Sequence, residues 1–138
     1  CNKSDISDNA KVSGSVRITG TTLSDNIEIR GDSSAYDCYI NGDAKIYGNV
    51  NLYASALSTN AYISDSTDYI TIGPIGSTEN NITFYKTKDK DIWVSHHRFT
   101  GSMSIKDFEE KVKETYSDDT VYKKQYLSAI EFVKINLM

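Results

Sequence analysis

The sequence predicts a mainly β chain: a short triangular parallel β-solenoid, about 17 residues per coil over residues 1–74, then a small α+β cap over 75–138 with a β-hairpin and two helices. Three observations carry this. Segments beginning at Asn9, Asn26, Asp43 and Asn60 recur at a spacing of 17 residues. Within each repeat, apolar and polar residues alternate over three or four positions, the period of a strand. After about residue 68 the repeat dissolves, and beyond residue 104 the apolar spacing changes to three and four, the period of a helix.

The columns of the repeat have physical content. Val12, Ile29, Ile46 and Ile63 share one inward column, and Ala10, Ile27, Ala44 and Ala61 share the column two before it. Ile18, Ala35, Leu52 and Tyr69 form a third, Leu23, Ile40, Leu57 and Pro74 a fourth, and Thr21, Cys38, Ser55 and Ile72 a fifth. Strands this short bury no face as isolated hairpins, but they do if each coil stacks on the next about 4.8 Å away. Gly14, Gly31 and Gly48 recur at one corner, where Asp65 replaces them, and glycine suits a corner of positive φ. Outward, Lys11, Glu28 and Lys45 alternate in sign.

The segments AKVSGS (10–15), VRITGT (16–21), AKIYGN (44–49) and VNLYAS (50–55) follow the pattern small, any, aliphatic, small, then two variable residues, apart from Tyr at two small-residue sites. In this they resemble the hexapeptide-repeat proteins. The resemblance implies a left-handed parallel β-helix. In that family each coil is built of hexapeptide repeats, one to a side, so the spacing of 17 here implies one shortened side per coil.

In the C-terminal half, residues 69–76 read as a last strand and a turn. Residues 82–87 and 92–97 read as strands joined by a hairpin turn at Lys88–Asp91. Ser104 has the form of an N-cap, with Ile105, Phe108, Val112 and Tyr116 on one helical face. Residues 117–120 break that helix, and a second begins near Val121, with Tyr122, Tyr126, Ala129, Ile130, Val133 and Leu137 on one stripe. The motifs TIGPIGS (71–77), TFYKTKD (83–89), FEEKVKETY (108–116) and YLSAIEFVK (126–134) together resemble the C-terminal module of uncharacterised bacterial and prophage proteins. That module has no agreed activity. Its relatives tend to carry a Cys-Gly pair where His96 and His97 stand here, so no thiol chemistry is carried over. A solenoid end exposes unpaired backbone and apolar cross-section, so the module is expected to cap it.

Composition bounds the function. Of 138 residues, 25% are charged and 38% hydrophobic, as in ordinary globular proteins. Net charge is −4 and the pI near 5.1, which argues against direct nucleic-acid binding. No apolar run approaches a membrane span. The first 74 residues carry five basic and nine acidic side chains; an acidic rod could mimic a duplex backbone, but turn-forming Asp on a solvated face accounts for them. A cytoplasmic location in a bacterium or phage-infected host is expected, with a lipoprotein anchor through Cys1 as the lesser alternative.

The chemistry-bearing residues are few. By strand parity Tyr36, Tyr47, Tyr53 and Tyr62 face outward, and Tyr is rigid and amphipathic, suited to interfaces. His96 and His97 are the only histidines; as strand neighbours they point to opposite faces and do not readily share a metal ion. They are candidate catalytic or surface residues. Cys38 falls in an inward column as a small apolar group. No cofactor and no metal are expected. The resulting reading is a non-enzymatic protein-binding or self-assembly module, a solenoid presenting a Tyr-bearing face or open end to a protein partner or to itself as a homo-oligomer. Three alternatives stand beside it. The prophage resemblance implies an inhibitor of a host defence protein such as a CRISPR nuclease. The hexapeptide resemblance implies an acyltransferase with His96 or His97 as base. The chain could also be a cap fragment of a longer fibre.

Overall fold

The structure, a computed structural model, describes residues 9, 11–15, 17–19, 26–31, 34–36, 45–47, 51–53, 61–96 and 102–138. Seven short strands come first: β1 (Lys11–Ser13), β2 (Arg17–Thr19), β3 (Glu28–Arg30), β4 (Ser34–Tyr36), β5 (Lys45–Tyr47), β6 (Asn51–Tyr53) and β7 (Tyr62–Ile63). Four longer or later strands follow: β8 (Tyr69–Ile75), β9 (Asn80–Lys86), β10 (Ile92–Ser95) and β11 (Ser102–Ser104). Two helices end the described chain, α1 (Ile105–Thr115) and α2 (Val121–Leu137).

Residues 17 apart pair in parallel: Val12 with Ile29, Ile29 with Ile46, and Ile46 with Ile63. A second ladder pairs Ile18 with Ala35 and Ala35 with Leu52. Ile27, Ile29, Ile46, Ala61 and Ile63 are all buried, so alternation turned these residues inward. At the corner Gly14 and Gly31 have φ of 85° and 81°, and a Cβ on Gly14 would lie 3.1 Å from the Gly31 Cα. Asn9 and Asn26 take left-handed φ of 65° and 61°, a conformation asparagine tolerates better than most residues.

The fold class, however, needs correcting. The described residues do not form a closed triangular β-helix, nor a coil whose hand could be assigned. They form a four-stranded parallel sheet (β1-β3-β5-β7), a three-stranded parallel sheet (β2-β4-β6), a four-stranded antiparallel sheet (β11-β10-β9-β8) and two helices. Alternation and a repeat length select which strands pair, but say nothing on whether two ladders close through a third. The expected hairpin is present as β9 and β10, which pair antiparallel; β8 and β11 flank it and extend it to a sheet of four strands.

The fourth repeat also departs from its columns. Tyr69 and Ile72 do not continue the parallel stacks; they lie on β8, opposite Tyr85 and Ile82 of β9. The cause is local. Asp65, standing where glycine stood in earlier repeats, caps a 3-10 turn over Ser66–Asp68, its side chain accepting from the Thr67 amide. Asp68 answers by accepting from the Ser64 and Asp65 amides and the Ser64 hydroxyl. This reciprocal cap redirects the chain into the antiparallel sheet.

Both helices lie on one face of that sheet. Ile82 and Phe84 of β9 and Ile92 and Val94 of β10 meet Phe108, Val112, Tyr126, Ile130 and Val133 in one core. Ser104 caps α1, its hydroxyl accepting from the Asp107 amide at 3.1 Å. Glu109 ties the helices, accepting from Lys113 and from Lys134, each at 2.6 Å. Those two ammonium donors hold the Glu109 carboxyl below its ordinary pKa. Lys123 is nearly buried; its Nζ donates to the Lys113 carbonyl at the end of α1 and to Asp118 at 2.6 Å.

Candidate functional site

The four tyrosines singled out by strand parity fall on two different sheets. Tyr36 and Tyr53 are register partners on β4 and β6. Tyr47 and Tyr62 lie on β5 and β7 of the larger parallel sheet, beside the buried Ile46 and Ile63. Tyr62 is 38% exposed and Tyr47 half-buried. Their ring centroids are 5.9 Å apart and tilted by 60°, a favoured aromatic geometry.

This pair is held from below by charge. The Tyr47 hydroxyl donates to Glu28 Oε2 at 2.9 Å, and Arg30 pairs with the same carboxylate. The hydrogen bond from Tyr47, helped by the Arg30 and Lys45 charges, holds the Glu28 carboxyl below its usual range. Burial and that same bond to an anion push the Tyr47 phenol up, so the hydroxyl keeps its proton. This hydrogen bond restrains the orientation of the Tyr47 ring. The register sets Arg30 of β3 beside Tyr47 and Lys45 of β5 beside Tyr62, while Lys11 lies further off on β1, opposite Glu28.

At the β7 end the face runs into a cleft of about 470 Å³. Tyr62, Ser64 and Asp68 form one wall, Lys86, Thr87, Lys88 and Lys90 another, and Leu137 and Met138 a third. A bridge between Ala61 and Thr87 joins β7 to the end of β9 and brings these walls together. Asp68 holds Lys86 at 3.2 Å. Burial alone would raise the Asp68 carboxyl, but the Ser64 amide and hydroxyl and the Lys86 ammonium outweigh it and hold it low. Among the described residues, the buried Thr87 hydroxyl has no hydrogen-bond partner, an uncommon state for a polar group.

His96 is 2% exposed. Its Nε2 lies 3.1 Å from the Tyr126 hydroxyl, and its ring packs 5.7 Å from Phe108 and 5.4 Å from Tyr126. It is therefore placed within the aromatic core under the helices. His97, Cys1 and Cys38 lie outside the described residues. Among the described residues, no three His, Cys, Asp or Glu side chains converge as a metal site would require. No helix among them is long and apolar enough to cross a membrane.

Sequence reasoning missed the cleft. Lys86, Lys88 and Lys90 lie close together along the sequence, but no local signal joins them to Tyr62, more than twenty residues earlier, or to the end of α2. No family model matches the chain, and no match was found to curated proteins or to solved structures.

Proposed function

We propose that this chain is a non-enzymatic protein-binding module that engages its partner through the outer face of β5 and β7 and the adjoining cleft. The observation that supports this reading best is the Tyr47–Tyr62 ring pair, exposed on one side and seated beside buried isoleucines on the other. Such a pair offers large, rigid contact area at little entropic cost, because Glu28 already restrains Tyr47. Arg30 and Lys45 beside the rings, and Lys88 and Lys90 at the cleft, favour a partner of acidic character with an apolar anchor.

The test compares wild type with Tyr62→Ser, Tyr47→Phe and Lys88→Glu/Lys90→Glu as baits in the native host, with circular dichroism confirming the fold. Tyr62→Ser should weaken binding of the captured partner by about tenfold or more, as loss of an aromatic anchor does. The Lys pair should mainly slow association and flatten its salt dependence. An unchanged affinity for Tyr62→Ser removes this face from consideration.

A further inference from the structure

α2 carries two apolar stripes. One is buried: Tyr126, Ile130, Val133 and Leu137. The other lies on the opposite side and faces solvent, with Val121 57%, Phe132 52% and Ile135 79% exposed. Val121, Ser128, Phe132 and Ile135 are spaced seven, four and three apart, the period of a seam where one helix meets another. A helix with one buried stripe has no need of a second for its own fold.

The residues along the seam indicate what would cover it. Lys124 and Glu131, both exposed, flank the stripe on the same side, one heptad apart. In an antiparallel pair of identical helices, equivalent flanks lie on the same side of the contact. A two-fold axis near Ser128 would then set Lys124 of each copy beside Glu131 of the other, twice over. The same axis brings Val121 of each copy towards Ile135 of the other, and the small Ser128 side chains at the centre let the backbones approach. In a parallel pair, Lys124 and Glu131 would face Ala129 and Asn136 and gain no charge partner. The surface is therefore complementary to itself in one orientation.

We propose that α2 mediates an antiparallel homodimer through Val121, Ser128, Phe132 and Ile135, with reciprocal Lys124–Glu131 pairs setting its orientation. The surface is separate from the tyrosine face and does not depend on it. A helix of 17 residues is about 25 Å long, so the contact falls at the small end of specific interfaces and the dimer should be weak and concentration-dependent.

Sedimentation equilibrium on the full chain, from low micromolar to roughly millimolar concentration, tests this. Wild type should pass from monomer to dimer mass across that range. Phe132→Ser with Ile135→Ser should abolish the transition while circular dichroism stays native, since both side chains are exposed. Lys124→Glu should weaken dimerisation several-fold, and Lys124→Glu with Glu131→Lys should restore it. A wild-type monomer throughout, a dimer that survives Phe132→Ser/Ile135→Ser, or a charge swap that fails to restore association would each overturn the proposal. So would a dimer lost on Tyr62→Ser, which would place self-association on the other face.

Discussion

Gly76→Ala is expected to be among the most damaging single-methyl changes in this chain. Gly76 follows β8 with φ of 78°, in the left-handed region where a side chain costs about 1–2 kcal/mol. A Cβ there would also overlap the hydroxyl and Cζ of Tyr126 and lie 3.0 Å from its Cε2. Tyr126 has little freedom to move away. It is fully buried, hydrogen-bonded to His96, and packed edge-on against Phe108 at 5.8 Å and beside Tyr116 at 5.6 Å. Overpacking of this kind costs about 1–3 kcal/mol. The two contributions together come to about 2–5 kcal/mol, or very roughly 6–15 °C in Tm for a chain of this size. Urea unfolding monitored by circular dichroism reads the loss as a lower midpoint at unchanged slope. The same substitution made in a Tyr126→Ala background separates the two causes. There the steric part should vanish, leaving only the backbone cost of about 1–2 kcal/mol. A loss below about 0.5 kcal/mol in wild type, or an equal loss in both backgrounds, would refute the packing argument.

Other perturbations have equally definite outcomes. Phe108→Ala empties the point where α1, His96 and Tyr126 meet, and should cost about 3–5 kcal/mol by denaturant titration. Asp68→Asn removes the charge facing Lys86 and one acceptor from the turn after β7; about 1–2 kcal/mol should be lost, with faster amide exchange at Ser64 and Asp65. Glu109 and Asp68 are both held below their ordinary carboxylate values when folded, so each stabilises the fold above the unfolded value. Stability should therefore be flat through neutral pH and decline as pH falls below about 4. Glu109→Gln combined with Asp68→Asn should shrink that acid-side decline, and a pH titration of the urea midpoint would show whether it does.

Some elements were legible because their cause is local. Ser104 caps α1 with its own hydroxyl, and Phe108, Val112, Tyr126, Ile130 and Val133 follow the helical period into the core. The stacking of Ile29, Ile46 and Ile63 was legible because identical columns at one spacing admit one register. Tyr69 and Ile72 were misplaced because they match their columns in residue type. The Asp65–Asp68 cap turns the chain before they reach those columns. Lys123 was missed because burial of its ammonium depends on the end of α1 and on Asp118 lying together in space.

For the candidate site, strand parity identified Tyr47 and Tyr62 as outward residues, but their ring contact and the restraint by Glu28 come from three neighbouring strands. Sequence alone settled which residues alternate, which recur at seventeen, and where the helices begin and end, since these follow from each residue's own geometry and its nearest neighbours along the chain. Tertiary structure alone decided that the parallel ladders stay separate sheets among the described residues, that His96 lies in an aromatic core, and that Tyr62, Lys86 and Met138 border one cleft. Those outcomes depend on contacts between residues far apart along the chain, and no local pattern encodes the distance between them.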